Sequence, residues 1–178
     1  MNILALDLGT RTGWALSEGG RIESGVHVFD VRRGESPGMR YVAFNRWLQV
    51  MGSAHVSPPV TGRVVAAADL IVFEMPHLRG GAAATVLAGF QTRVEEFCAA
   101  RGIEHVPVHS ATLKKWTTGS GRGDKTAMRH AVHRKGWMSG REIYDDNEVD
   151  AIALLHYAIA EIISSETGLS GDARAEGI

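Results

Sequence analysis

Acidic residues stand at the ends of two apolar segments of this chain. Asp7 lies at the end of the segment over residues 2–8, and Glu74 ends a second one over residues 69–74. Both segments have the short, nearly continuous apolar character of strands in the centre of a sheet. A carboxylate in such a place is costly to bury without a partner. If the two strands are neighbours, both carboxylates emerge at one edge of the sheet.

Two further acids share one face of the last predicted helix. Asp146 and Asp150 are four residues apart, and Asn147 lies within one turn of Asp150. If all four carboxylates converge, they repel one another unless divalent cations lie among them. Oxygen ligands of this kind favour Mg²⁺ or Mn²⁺. Two such ions, about 4 Å apart, support in-line displacement at a phosphodiester.

Each of these acids also has an ordinary structural explanation. Asp7 suits the turn that follows it, and Glu74 could pair with Arg79. Asp145 or Asp146 caps the last helix, where a negative charge is favourable. The metal site is therefore predicted from the joint pattern and not from any single residue.

The charge of the chain is unevenly distributed. Residues 1–100 hold nine basic and nine acidic residues. Residues 101–141 hold nine basic and two acidic residues, a net charge of +7, and residues 142–178 hold one basic and nine acidic residues, a net charge of −8. Two solvated faces that balance each other would give this pattern. A basic surface for phosphates beside an acidic cluster for cations would give it too.

A glycine-rich loop lies within the basic segment. Residues 117–123 include three glycines in five positions, and Lys125 follows at the start of a helix. Glycines let backbone N–H groups approach an anion, and a helix N-terminus adds a favourable dipole. A flexible connector is the alternative, and the order of residues is not that of a Walker loop. Five basic residues surround the loop, and Trp116 lies between them in the sequence. Together they predict a strip that binds successive phosphates. They are Lys114, Lys115, Arg122, Lys125 and Arg129.

Composition excludes several classes of protein. With 178 residues, of which 44% are hydrophobic, the chain is expected to form one globular domain over residues 1–165, with a frayed tail over residues 166–178. Its single cysteine, Cys98, excludes an internal disulfide and a cysteine-based zinc site and indicates a reducing compartment. No apolar run reaches the roughly 18 residues of a membrane span, and the N-terminus lacks the basic leader of a signal peptide. We therefore expect a cytoplasmic protein with no membrane partner.

The periodicity of apolar residues predicts an α/β fold in which helices cover a mixed five-stranded sheet. Strands are expected over residues 2–8, 14–17, 21–31, 69–74 and 103–108, with a tight turn over residues 9–13. Helices are expected over residues 36–56, 82–101, 110–116 and 124–135, with Ser110 and Asp124 as caps of the last two and Gly102 ending the second. The last helix is expected to pack inward through Val149, Ile152, Leu155, Ile159 and Ile162.

The order of these motifs resembles the RuvC family of Holliday-junction resolvases, in particular a phage-type member. The resemblance runs from residue 2 to about residue 160. The G-x-G-R-x-x-K loop followed by the acidic helix is specific, whereas the D-x-G-T motif also occurs in sugar kinases and actin-like ATPases. The segments that carry it are 6–15 (LDLGTRTGWA), 71–74 (IVFE), 118–125 (TGSGRGDK) and 147–153 (NEVDAIA).

This resemblance implies an RNase H-like fold, a homodimer and Mg²⁺-dependent paired nicking of four-way DNA junctions in recombination and repair. It implies a hydrolase that leaves 5′-phosphate ends, uses no nucleotide cofactor and works in a bacterial or phage-infected cell. By position, Asp7, Glu74 and Asp150 would be metal ligands and Lys125 would contact the scissile phosphate. Lys114 or Lys115 would be a second phosphate contact. The helix over residues 82–101 is a candidate for the dimer surface.

The chain departs from the family at one ligand position. The family places Asp or His three residues before the last acid, and here that residue is Asn147, so that Asp146 is the alternative fourth ligand.

Two other functions fit part of the pattern. One is a junction-binding protein that does not cleave, if Asn147 removes a ligand. The other is a kinase or ATPase of the actin-like superfold, although this chain is too short for a second domain that closes over a nucleotide.

Overall fold

The core of the molecule is a five-stranded mixed sheet, as predicted. A computed structural model describes residues 1–53, 55–56, 64–65, 67–75, 80–138, 142–143 and 145–164. The strands are β1 (Ile3–Asp7), β2 (Arg11–Glu18), β3 (Arg21–Val28), β4 (His55–Val56), β5 (Val64–Val65), β6 (Leu70–Met75) and β7 (Glu104–His109). The helices are α1 (Met39–Gly52), α2 (Gly81–Arg101), α3 (Ser110–Thr118), α4 (Lys125–Arg134) and α5 (Asp146–Tyr157), and a π-helix over Ala158–Ile163 continues α5.

The sheet has the order β3-β2-β1-β6-β7. Strand β1 pairs antiparallel with β2 and parallel with β6, and β6 pairs parallel with β7. Leu6 lies opposite Phe73, and Asp7 and Glu74 are the next residues of the two strands. The two acid-bearing strands are therefore neighbours, which is the condition for both carboxylates to emerge at one edge of the sheet.

Helices cover both faces of the sheet because successive strand residues point to opposite sides. On one face, Ile3, Ala5 and Val72 pack in a core with residues of α3, α4 and α5. On the other, residues of β1 and β6 pack against α1 and α2, and this core contains Leu4, Leu6, Ile71, Phe73, Phe44, Leu48, Phe90 and the buried Cys98. In the described part of the chain, no helix combines the length and the apolar character that a membrane crossing requires.

The structure corrects two predicted boundaries in the first half of the chain. The turn after β1 is shorter than expected, because strand β2 begins at Arg11 and includes Gly13. Helix α1 ends at Gly52 and not near residue 56, since Ser53 is extended (φ −108°, ψ 156°) and the Gly52 carbonyl accepts a hydrogen bond from the Ala68 N–H at 3.1 Å. Residues 55–56 then pair with residues 64–65. Pro58 and Pro59, which follow the predicted helix in the sequence, lie outside the described residues.

Two predictions for the later helices also need correction. Ser110 does not cap α3: it is the first helical residue and is buried, while His109 holds the cap position. Ile159 does not pack inward and is 36% exposed, whereas the other predicted residues of that stripe are buried or half-buried. The reason is the π-helix, whose wider i→i+5 turn rotates later residues away from the face that α5 presents. The predicted frayed tail lies outside the described residues.

Candidate active site

Asp7 lies at the end of β1, opposite Gly13 of β2. Burial is the largest cause that raises the pKa of Asp7 well above its usual range. Repulsion from the carboxylates of Glu74 and Asp150 adds to it, and the charge of Lys125 acts in the opposite direction. Asp7 is therefore held close to two other acids from distant parts of the chain.

Asp150 faces the same edge of the sheet from the second turn of α5. The pKa of Asp150 is raised to about 7, chiefly by burial and next by repulsion from Glu74. Lys114 and Lys125 lower this pKa without restoring its usual value. The carboxylates of Asp7, Glu74 and Asp150 thus gather with two lysines at the carboxyl end of β1 and β6.

The donor chemistry of this cluster suits a hard divalent cation, because all three donors are carboxylate oxygens. Their mutual repulsion is what a cation would offset. Across the described ranges, however, no three His, Cys, Asp or Glu side chains are arranged so that they could hold one metal ion. The side chains would therefore have to draw closer around an ion than they stand here.

Asp145 is the residue that caps α5. Its Oδ1 accepts hydrogen bonds from the backbone N–H of Asn147 (3.0 Å) and from Asn147 Nδ2 (2.9 Å), and its Oδ2 accepts one from the Arg11 guanidinium. Burial acts to raise the pKa of Asp145, but the bonds from Arg11 and Asn147 outweigh it and hold that pKa below its usual value. This network fixes the start of α5 against the start of β2.

Asp146 pairs with two cations of α4. Its Oδ1 accepts a hydrogen bond from Arg129 at 2.6 Å, and its Oδ2 lies 3.2 Å from Lys125 Nζ. Burial acts to raise the pKa of Asp146, but Arg129 and Lys125 outweigh it and lower that pKa. The predicted metal ligand Asp146 therefore has both carboxylate oxygens engaged by protein cations.

The predicted phosphate strip surrounds a loop that the chain orders itself. Thr118 Oγ1 donates a hydrogen bond to the Lys114 carbonyl (2.8 Å) and accepts one from the Ser120 N–H (3.2 Å). Gly119 ends α3 with a φ of +86°, a conformation that favours glycine. Asp124 caps α4 by accepting a hydrogen bond from the Ala127 N–H at 2.8 Å, as predicted.

The predicted basic residues fall into two groups. Lys114, Lys125 and Arg129 act on the acidic cluster or on Asp146, through charge or direct contact. Lys115 and Arg122 are exposed, on α3 and in the loop that follows it. The structure thus brings part of the strip to the carboxylates and leaves the rest at the surface.

The sequence does not identify two residues of the site. It predicts Arg11 in a turn, yet Arg11 pairs with Asp145. It predicts Gly13 in the same turn, whereas a Cβ built on Gly13 would overlap the backbone carbonyl of Asn147. Only glycine lets α5 approach the sheet this closely. A strand residue without a side chain, opposite a strand-end acid, is the signal that could have identified it.

No protein-family model matches the chain, and a search of curated proteins gives no significant match. The structure of Thermus thermophilus RuvC is similar to it at 16% sequence identity with a TM-score of 0.63, covering 94% of this chain and 97% of that one. T. thermophilus RuvC in complex with a Holliday junction substrate gives 16% identity and a TM-score of 0.65, covering 94% of this chain and 96% of the other. The chain therefore has the RuvC-like, RNase H-like fold that its sequence predicts.

Proposed function

We propose that this protein is a metal-dependent endonuclease that acts on branched DNA such as four-way junctions. The gathering of three acids from β1, β6 and α5 beside Lys114 and Lys125 is the observation that carries the proposal. Acids such as Asp7 and Asp150, whose pKa values burial raises and which lie near cations that suit a phosphate, are typical of catalytic sites. The similarity to a fold solved with a Holliday junction supports branched DNA as the substrate.

The carboxylates of Asp7, Glu74 and Asp150 would hold the cations, two Mg²⁺ or Mn²⁺ ions per site. When bound, these ions supply the positive charge that stabilises the transition state. Lys125 would bind the scissile phosphate and neutralise part of its charge, with Lys114 beside it. Lys115 and Arg122 would contact the backbone phosphates on either side, and Arg129, while paired with Asp146, would add its positive charge beside them. Contacts to phosphates orient the DNA but do not read its sequence.

The reaction proposed is hydrolysis of one phosphodiester bond. Water attacks phosphorus in line with the 3′-oxygen, which leaves, so that the products are a 5′-phosphate and a 3′-hydroxyl. The basic residues draw the backbone to the acidic edge, where the carboxylates alone would repel it. Because a four-way junction has near two-fold symmetry, we propose a homodimer whose two sites make paired nicks. We place this activity in the cytoplasm.

A nicking assay on synthetic DNA tests the proposal. Labelled four-way junctions, flaps, loops and linear duplexes of equal length are incubated with the protein in Mg²⁺, in Mn²⁺ and in EDTA. We expect nicks on branched substrates with either metal and none in EDTA, and the product lengths of the four strands show whether the nicks are paired. Cleavage that persists in EDTA, or that does not distinguish a junction from a duplex, contradicts the proposal.

The two other functions give different results in the same preparation. A junction-binding protein that does not cleave would shift labelled junctions in a gel and leave every strand intact in both metals. A kinase or ATPase would bind ATP in calorimetry. Light scattering after size exclusion, with and without a junction, tests the proposed dimer directly.

A further inference from the structure

Asp146 and the two cations of α4 form a small charged group next to the carboxylate cluster. Lys125 and Arg129 are four residues apart on α4, so their side chains lie on the same face of the helix. Each contacts a different oxygen of Asp146, at 3.2 and 2.6 Å. Two neighbouring cations could also bind one DNA phosphate in the way that they bind this carboxylate.

The two contacts differ in strength. The Arg129 side chain is 41% exposed and its bond to Asp146 is short. The Lys125 side chain is 75% exposed and its contact is longer. An ion pair this exposed is weak and exchanges readily, because water and salt screen it. Arg129 therefore fastens α4 to α5, whereas Lys125 is held where it can leave.

Lys125 is also close to the place where a phosphate would bind under the proposed function. Its charge acts on both Asp7 and Asp150, which lie at the ends of different elements. The ammonium group of Lys125 is therefore within electrostatic range of both acids. Asp146 thus keeps Lys125 at the edge of the cluster while no DNA is bound.

We propose that Asp146 is a positioning residue that takes the place of a DNA phosphate in the free protein. It holds Lys125 beside the carboxylates and releases it to the DNA backbone on binding, while it retains Arg129. This inference rests on the proposed function. It gives Asp146 a role other than metal ligand, because ligation would require the carboxylate to leave both cations.

A double-mutant cycle tests this role. The affinity of a fluorescent four-way junction is measured by anisotropy in EDTA for the wild type, Asp146→Asn, Lys125→Gln and the double variant. Asparagine keeps an oxygen for Arg129 but loses the charge that competes for Lys125. We expect Asp146→Asn to bind about two- to fivefold more tightly, the range that loss of an exposed ion pair supports. In the Lys125→Gln background, the same change should alter affinity less than about 1.5-fold.

The cycle separates competition for Lys125 from general repulsion of DNA. If Asp146 acted only by long-range repulsion, its removal would tighten binding equally in both backgrounds. Equal tightening, or weaker binding of Asp146→Asn, overturns the inference. If Asp146 were a metal ligand, the result would differ. Asp146→Asn would raise severalfold the Mg²⁺ concentration for half-maximal nicking, and its effect on junction affinity in EDTA would not depend on Lys125. Thermal unfolding checks that all variants fold, and Asp146→Ser replaces any Asn variant that does not.

The outcomes also separate this inference from the proposed function. A wild type that binds no branched DNA overturns both. A wild type that binds and nicks junctions, while the two substitutions act independently on affinity, overturns only the role of Asp146.

Discussion

Four aspartates lie near the start of α5 and behave as two opposite pairs. Protein cations hold Asp145 and Asp146, and the pKa values of both lie below their usual range. Asp7 and Asp150 lie among other acids, and the pKa values of both are raised, chiefly by burial. The region around the start of α5 thus contains acids whose charge is compensated by protein cations and acids whose charge is not.

The difference indicates what each pair does. Asp145 and Asp146 join α5 to β2 and to α4, so their charges stabilise the fold. Asp7 and Asp150 lower the stability of the metal-free protein at neutral pH, because burial and repulsion from neighbouring acids disfavour their ionised forms. A fold commonly carries such a cost at a site that needs charge for function. The uncompensated pair is therefore the one to which we assign catalysis.

The largest expected effect is on cleavage. Asp7→Asn should reduce the nicking rate at least about a hundredfold, the scale expected when one group that stabilises the transition state is lost. Junction binding should remain, because the basic strip is intact. Asp145→Asn is the matched control: asparagine also caps helices, and we expect its rate within about threefold of wild type. Equal nicking by wild type and Asp7→Asn would refute the assignment.

Gly13→Ala should disturb both pairs of aspartates, Asp145 with Asp146 and Asp7 with Asp150. The new methyl group would overlap the Asn147 carbonyl and push the start of α5 from the sheet. Overpacking of this kind costs about 1–3 kcal/mol, and a backbone atom cannot move aside as a side chain can. Urea unfolding measures the loss, and Gly25→Ala, which would meet the Trp14 ring instead, is the control in the same sheet. A Gly13→Ala protein as stable as wild type would contradict the close approach of α5.

Asp150→Asn should stabilise the metal-free protein at alkaline pH. The pKa of Asp150 is about 7 in the folded protein, above its ordinary value of 3.8. The stabilising contribution of the protonated acid is therefore present below about pH 4 and is lost as pH rises through 7. At pH 8 in EDTA we expect a gain on the order of 2 kcal/mol, less than the whole shift implies because the side chain is partly exposed.

This prediction is checked by unfolding at two pH values. The gain of Asp150→Asn should be present at pH 8 and absent near pH 4, where both proteins carry a neutral group. Asp145→Asn should show the opposite sign at pH 8, a loss below about 1 kcal/mol. Mg²⁺ should stabilise the wild type more than Asp150→Asn. A wild type whose stability is constant between pH 4 and 8 would show that the carboxylates do not repel one another.

The smallest effect is expected at Arg11. Its side chain is 56% exposed, so the pair with Asp145 should contribute no more than about 1 kcal/mol. Arg11→Gln should lower the free energy of unfolding by this amount or less in low salt, and the difference should shrink in 1 M NaCl as the charges are screened. A loss that salt does not reduce would mean that Arg11 acts through packing and not through its charge.

Much of the fold could be predicted because local patterns agree with the final structure. Apolar segments and glycine-rich turns identified all five strands of the main sheet, and Asp124 and Gly102 act as the helix ends that their residue types suggest. Asp7 and Glu74 could be placed at the same edge of the sheet on the condition that their strands are neighbours, which they are. These features depend on periodicity, capping and strand order, which a single sequence contains.

The partners of Asp145 and Asp146 could not be predicted in the same way. The two residues are adjacent, and both suit the start of a helix. Which one caps it is decided by Arg11, 134 residues away, and by Arg129, 17 residues away. The role of Gly13 likewise depends on a helix at the other end of the chain. Tertiary packing decides which partner each of these residues contacts, and local sequence patterns do not reveal it.

The carboxylate cluster of Asp7, Glu74 and Asp150 takes its residues from β1, β6 and α5, and α5 is the last of these to be synthesised. The ribosome adds the residues of the +7 segment before it adds Asp150. An unfinished or proteolysed chain that ends between residues 135 and 149 would carry most of these basic residues but lack Asp150 and the α5 residues that complete the core beside β1. Under the proposed function, cleavage therefore requires that translation has passed the final helix.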